Sequence, residues 1–195
     1  MLTPEQLAGL RRDIRFSAEL GGRTLTLTST WGLFSPREID EGTQLLLKHL
    51  ELAPDADCLD LGCGYGPIGL ALAALAPRGR TLMLDKDFVA VDYANRNARL
   101  NGLSNAEAML SNGLDQIEPG RTFDLVASNV PAKVGKELLA ILLHDIRDRL
   151  RPGGCCYLVT INGLRDYMKR NLNEVFGNYD KLKQGAHYTV ALARR

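Results

Sequence analysis

Residues 58–69 read Cys-Leu-Asp-Leu-Gly-Cys-Gly-Tyr-Gly-Pro-Ile-Gly, the stretch of this 195-residue chain with the most chemical content. A short apolar run ends in Asp60 and Leu61, glycines follow at 62, 64 and 66, and Pro67 stands where a helix would open. Glycines at such a turn let the backbone bend sharply and approach a ligand closely, because no Cβ intervenes. N–H groups at the start of a helix point at that ligand and favour its negative end. Proline at the first helical position forfeits no hydrogen bond. The stretch is a tight strand-to-helix turn, and its residue types fit two cofactors. Gly64-x-Gly66-x-x-Gly69, with Asp85 about twenty positions further on, has the spacing of a dinucleotide fingerprint. An acid followed by three alternating glycines, Asp60 to Gly66, suits S-adenosylmethionine instead. Its ammonium seeks an acidic neighbour such as Asp60, its carboxylate seeks backbone N–H groups, and its ribose diol seeks a carboxylate such as Asp85.

A second stretch, Phe123-Asp124-Leu125-Val126-Ala127-Ser128-Asn129-Val130-Pro131-Ala132, ends a strand on a polar side chain. Pro131 fixes its own φ and pushes Val130 towards an extended conformation. Asn129 offers one carbonyl acceptor and two N–H donors. A side-chain amide and a main-chain carbonyl held in this way can accept both hydrogens of an amino group and aim its lone pair at a methyl donor. The plainer alternative is a strand-exit turn in which Asn129 bonds its own backbone.

The elements that must position these groups alternate. Strand-like runs fall at Cys58–Leu61, Thr81–Leu84, Ala106–Leu110, Asp124–Ser128, Cys155–Thr160, Asp180–Lys183 and Tyr188–Ala193. Helical patterns fall at Pro67–Ala76, Val89–Leu100, Lys136–Leu150 and Leu164–Phe176, with Gly102, Pro152-Gly153-Gly154 and Gly177 placed to stop the last three. Alternation of this kind predicts a mostly parallel sheet covered by helices on both faces, with ligands at the carboxyl ends of the strands. The short break at Gly185-Ala186 predicts an antiparallel terminal hairpin, which a dinucleotide dehydrogenase sheet lacks. The fold class is therefore α/β, with a Rossmann-like seven-stranded sheet and a small N-terminal extension. Within one structural domain, residues 1–50 form a hairpin and lid extension and residues 51–195 the cofactor-binding core. Phe16–Leu20 and Thr24–Thr28 flank Gly21-Gly22, a hairpin signal. A helix from Ile39 or Asp40 to Leu50 leads into the core. Trp31 and Phe34, in the loop between, either plug the core or form a lid over the donor pocket.

Hydrophobic content of 45%, charged content of 24% and a net charge of +1 are those of an ordinary globular domain and single out no nucleic-acid or membrane partner. No apolar run reaches spanning length and no signal peptide opens the chain, so a cytoplasmic location is expected. Four cysteines without a Cys-x-x-Cys spacing, and His49, His144 and His187 scattered, give no metal site.

These motifs together resemble the class I S-adenosylmethionine-dependent methyltransferases, and more narrowly the "small" methyltransferase domain of ribosomal RNA guanine-N2 methyltransferases. The resemblance runs from about residue 16 to 193. It is carried by Gly32-Leu33-Phe34-Ser35, Ile39-Asp40-x-Gly42-Thr43, Asp60 to Gly66, Leu84-Asp85-Lys86-Asp87, Ser111-Asn112 and Asn129-Val130-Pro131. It implies a cofactor site of Phe34, Thr43, Asp60, Gly62, Cys63, Gly64, Asp85, Lys86, Asn112 and Gly113. Asp60 and the loop amides would hold the methionine end, Asp85 the ribose and Asn112 the adenine. It implies a catalytic segment of Asn129, Val130 and Pro131, and no metal. The chain departs from the family where Val130 and Ala132 stand in place of a proline and a base-stacking aromatic ring. Such stacking is worth about 1–3 kcal/mol elsewhere. Phe34 and Trp31 are the rings available to replace it. An RNA acceptor is implied. A small molecule, a protein side-chain amide and a donor-binding partner module without its own chemistry stay open, as do a monomer and a homodimer.

Overall fold

The computed structural model describes residues 1–131 and 134–195; Ala132, where the family's aromatic would stand, lies outside the described residues. Its main sheet has seven strands: β3 (Cys58–Leu61), β4 (Thr81–Asp85), β5 (Ala106–Leu110), β6 (Phe123–Asn129), β7 (Leu150–Ile161), β8 (Asp180–Gln184) and β9 (Tyr188–Arg194). Their order is β5-β4-β3-β6-β7-β9-β8. The first five run parallel, while β9 is antiparallel to β7 and β8 antiparallel to β9. From β3 the chain builds β4 and β5 on one side, then returns to lay β6 on the other. The carboxyl ends of β3 and β6 thus flank the topological switch point, where ligands of such sheets bind.

Two helical layers cover the sheet, and the side-chain period of two divides the strands between them. Leu59 and Leu61 pack with Leu139, Leu143 and Ile146 of α5 (Lys136–Arg149) and with Met168 and Leu172 of α6 (Arg165–Phe176). Cys58, on the other face, packs with Leu46 of α2 (Glu41–Leu47) and Leu72 of α3 (Pro67–Leu75). Every residue of β3 is buried, which is why the strand reads as an apolar run rather than an alternation. The acid within it, Asp60, is the exception in chemistry and not in burial.

The N-terminal strands β1 (Ile14–Leu20) and β2 (Arg23–Ser29) form a separate antiparallel pair closed by Gly21-Gly22, both at positive φ, as a two-residue hairpin turn requires. A Cβ on Gly21 would lie 2.6 Å from the Ala71 carbonyl of α3, so the turn needs glycine for contact as well as for conformation. Leu20, Leu25 and Leu27 join the core formed by Leu70 of α3 and Ala94 and Ala98 of α4 (Phe88–Leu100). Two asparagines, Asn97 of α4 and Asn101 at its C-cap, complete the free edge of β2. Asn101 exchanges hydrogen bonds with the N–H and C=O of Thr26, and Asn97 with those of Thr28. Asn97 Nδ2 also donates to the Tyr65 carbonyl of the glycine loop, at 2.9 Å.

The structure adds one element, departs from expectation at another and decides between two alternatives at a third. Pro4–Leu10 forms a helix, α1, closed by a Thr3/Gln6 capping box with proline at its first position; none of its residues is buried. Ser/Thr-x-x-Gln followed by periodic leucines was the available signal. Pro152-Gly153-Gly154 is not a helix stop. α5 ends at Arg149, β7 begins at once, and the three residues lie in a bulge between the pairs Phe123↔Leu150 and Leu125↔Cys155. The bulge frees Arg151 to fork onto Asp57 and Asp124 at 2.8 and 2.6 Å. Trp31 and Phe34 do not plug the core. Leu33 does, at 8% exposure, while Trp31 and Phe34 are 46% and 67% exposed. Among the described residues no helix is long and apolar enough to cross a membrane.

Candidate active site

At the carboxyl end of β3 the chain turns through Gly62, Gly64 and Gly66, with φ of +76°, +55° and +100°. Side chains rarely adopt these values. A Cβ on Gly62 or Gly64 would meet no atom, so the ligand side of the loop is open. The loop is stiff beneath that surface. The N–H groups of Gly62 and Cys63 donate to the Leu84 carbonyl, at 2.8 and 3.0 Å, and Gly66 donates to the Cys63 carbonyl. Gly64 donates to Asp85 Oδ2 at 2.9 Å. These four amides are engaged within the protein. The loop therefore offers close approach, whereas the sequence pattern pointed to amide donation for the donor's carboxylate.

Asp60 is fully buried, and its Oδ2 accepts from the Gly69 N–H of α3 at 2.7 Å. Gly69 must be glycine: a Cβ there would lie 2.3 Å from Met83 Cγ and 3.1 Å from Asp60 Oδ2. The second oxygen, Oδ1, is buried without a hydrogen-bond partner among the described residues. Burial pushes the Asp60 carboxyl up to about 7, against the Gly69 bond and with a smaller push from Asp85. An orphaned carboxylate oxygen sealed from the surface in this way calls for a proton, and it touches no ligand while the loop keeps this geometry. Cys63 is buried, and its thiol is raised by burial and by Asp60 and Asp85.

Asp85 ends β4, half-buried, and accepts from Gly64 N and, through Oδ1, from Asp87 N at 3.0 Å. Each oxygen keeps a lone pair, enough for a vicinal diol. Lys86 beside it is exposed. Asn112, just past β5, is exposed and donates to Asp115 at 3.2 Å, and Gly113 follows at positive φ. Phe34 lies on the lead-in loop, which the donor loop holds: the Tyr65 hydroxyl lies 3.0 and 3.1 Å from the carbonyls of Ser35 and Glu38. Ser35 is the one non-glycine residue at positive φ among the described residues. That left-handed turn presents Phe34 outward.

Across the switch point, Ser128 locks β6 to β3 by donating to the Leu61 carbonyl at 2.7 Å. Asn129 then projects from the strand end. Its Nδ2 donates to Asp40 Oδ2 at 2.9 Å and to Thr43 Oγ1 at 3.0 Å. The amide is not bonded to its own backbone as an asparagine turn would be. Both hydrogens are used, so the carbonyl Oδ1 is the polar atom left to face a substrate. Val130 is buried, and its N–H donates to the Val159 carbonyl; Pro131 is exposed. Thr43, 5% exposed, is thus a partner of Asn129. Asp40 is the residue that sequence reasoning passed over, although an acid two or three residues before Gly42-Thr43 is an N-cap signal. Behind it a hollow of about 370 Å³ is lined in part by Ser35, Glu38, Gln44 and His187. A larger hollow, about 490 Å³, lies at the opposite, amino-terminal edge of the sheet beside Asp124 and Arg151, away from the glycine loop.

The arrangement fits the relatives of this chain. An uncharacterized Bacillus subtilis protein, YbxB, is 33% identical over 74% of the chain and 72% of its own length. Ribosomal RNA small subunit methyltransferase C of Pseudomonas syringae pv. syringae is 32% identical over 92% of the chain. The solved structure of the T. Thermophilus 16S rRNA methyltransferase RsmC, in complex with AdoMet and guanosine, superposes with a TM-score of 0.84 at 30% identity over 94% of the chain. The chain spans 54% and 50% of the lengths of these two enzymes. A family model, Methyltransferase small domain, matches residues 24–192, from the second strand of the hairpin to the last strand of the sheet. With the glycine loop, Asp85 and Asn129 set around one switch point within that span, the chain belongs to the methyltransferase small domain family.

Proposed function

We propose that this chain is an S-adenosylmethionine-dependent methyltransferase acting on an exocyclic amine of ribosomal RNA, of the guanine-N2 type. The observation that carries the reading is the Asn129 amide. With both N–H groups held by Asp40 and Thr43, it meets the acceptor only as a hydrogen-bond acceptor. An amine satisfies that face; a carbonyl or an unprotonated ring nitrogen does not. The relatives named as ribosomal RNA methyltransferases, and the guanosine bound to RsmC in its solved complex, support an RNA acceptor.

S-Adenosylmethionine supplies an electrophilic methyl group on a sulfonium. The protein's residues supply place and direction. The open glycines would receive the methionine end, Asp85 would take the ribose diol and Asn112 would border the adenine, while the buried Asp60 braces the start of α3 beneath them through Gly69. Asn129 Oδ1 and the Val130 carbonyl each accept one hydrogen of the amine, which turns the nitrogen lone pair towards the methyl. The N–C bond forms as the C–S bond breaks, and the proton left on nitrogen departs to solvent. Residues 1–50 act as lid and lead-in to the core of residues 51–195, in a cytoplasmic protein.

The test is incubation of the pure protein with tritiated methyl donor and unmodified transcripts of 16S and 23S ribosomal RNA, beside fractionated cell protein and metabolites. Label in the RNA, lost in Asn129→Ala, is the expected result. Label in the metabolite fraction alone replaces the acceptor. No label in any fraction, with donor bound, makes the chain a donor-binding module.

A further inference from the structure

We propose that Asp40 is a positioning residue for Asn129, and that it decides which face of the Asn129 amide meets the acceptor. This rests on the acceptor role given to Asn129 above. Asp40 begins α2, and its Oδ2 takes the N–H groups of Gly42 and Thr43 at 2.9 and 3.2 Å. Capping the helix needs no more than that, and serine, threonine or asparagine would serve equally. The same oxygen also takes Asn129 Nδ2 at 2.9 Å, and Oδ1 takes the Tyr188 hydroxyl at 3.1 Å. One carboxylate thus joins the lead-in segment, the end of β6 and the start of β9.

The chemistry of the two partners of Asn129 differs. A hydroxyl donates or accepts, so Thr43 alone tolerates either orientation of the amide. A carboxylate only accepts, so Asp40 permits one. Its charge, set behind the amide, also draws the N–H bonds tighter and increases the negative charge on Oδ1. The arrangement is built and not incidental, as Gly42 shows independently. A Cβ there would lie 2.8 Å from Tyr188 Cδ1 and 2.9 Å from Asp40 Oδ2. The helix start is kept bare so that the Tyr188 ring can cross it and reach the carboxylate. The terminal hairpin, remote in sequence from the donor motifs, thereby takes part in aiming the acceptor. Asp40 itself does not touch the substrate.

The experiment is Asp40→Ser, which keeps a helix cap but withdraws the group that reaches Asn129. In ¹⁵N-labelled protein the side-chain amide of Asn129 is assigned by its absence in Asn129→Ala. Its hydrogens should exchange with water at least about tenfold faster in Asp40→Ser, the effect of losing one charge-assisted hydrogen bond. The dissociation constant for S-adenosylmethionine should stay within about twofold, as expected for a residue outside the donor half. On ribosomal RNA transcripts kcat should fall by about tenfold or more, and Asp40→Ser should add nothing in the Asn129→Ala background. Unchanged exchange in Asp40→Ser, or losses that add fully in the double variant, overturn the proposal. Normal turnover by Asn129→Ala overturns instead the role of Asn129, while the exchange rates still show whether Asp40 holds the amide. Should Asp40→Ser fail to fold, Asp40→Asn, which keeps the cap, the shape and a neutral acceptor but removes the charge, must still exchange faster than wild type, by a smaller factor of about threefold; unchanged exchange there overturns the proposal.

Discussion

The donor and acceptor halves of this site are built in opposite ways. On the donor side Asp60, the glycine loop and Asp85 lie within one short run of sequence and bond mostly to one another: Gly64 to Asp85, Gly69 to Asp60, Asp87 to Asp85. On the acceptor side Asp40, Asn129 and Tyr188 come from three distant segments and meet at one carboxylate that also caps α2. A half closed within itself keeps its geometry whatever is attached to it. A half assembled from remote pieces takes its geometry from the rest of the molecule, and a change at any piece re-aims it. The donor half is suited to one invariant cofactor and the acceptor half to a variable target.

The sharpest way to break this division is Asn129→Ala. Turnover on ribosomal RNA should fall about 10²–10³-fold, as for loss of one well-placed catalytic hydrogen-bonding group, with donor affinity nearly unchanged. A matching fall in donor affinity, read by calorimetry, would show the halves to be one unit. Next in size is the titration of Asp60. Its carboxyl goes from an ordinary 3.8 in the unfolded chain to about 7 in the fold, so the native state holds the proton more tightly. The stabilisation is complete below the unfolded value and fades as pH rises towards 7. Wild type should therefore lose roughly 2–4 kcal/mol relative to Asp60→Asn across that window and nothing further above it. Melting temperatures of both proteins from pH 4 to 9 check this, and parallel curves remove the buried carboxyl from the account.

Smaller effects sharpen the comparison. Gly69→Ala crowds Met83 and Asp60 and should cost about 1–3 kcal/mol in urea unfolding, the range for overpacking a core. Full stability in that variant would mean that the helix start shifts freely. Asp85→Ala should weaken the donor by about 1–3 kcal/mol while leaving nicotinamide dinucleotides unbound. Dinucleotide binding by the wild type would reverse the cofactor assignment. Phe34→Ala should change stability by less than about 0.5 kcal/mol, because the ring is 67% exposed. If Phe34 stacks on the target base in place of the family's aromatic, the same variant should lower RNA methylation several-fold at unchanged melting temperature. Equal methylation would leave that place to Trp31.

The same contrast explains what could be read from the sequence. The strands, the order of motifs and the donor residues were legible because each rests on local rules: apolar runs for buried parallel strands, glycines for a turn at positive φ, an acid at a strand end. Asn129 was legible as a strand-end amide, but not its orientation, which depends on Asp40 far upstream. Tyr188 carried no signal at all, since an aromatic beginning a strand is ordinary. The β7 bulge was misread as a helix stop because proline and glycine punctuate both. The exposure of Phe34 and Trp31 was open because a loop ring packs inward or outward according to neighbours the local pattern does not name.

Asn97 ties the hairpin to the glycine loop by donating to both Thr28 and Tyr65, and Asp40 ties the far end of the lead-in loop to β6. The segment between these anchors is a short strap fastened at both ends, with Tyr65 gripping its middle. Trp31, the single tryptophan of the chain, sits on that strap, 46% exposed with the Arg37 guanidinium 5.4 Å from its ring centre. The protein thus carries its own optical gauge. Tryptophan emission, with no label attached, reads whether the strap tightens when a donor arrives and relaxes when the spent donor leaves.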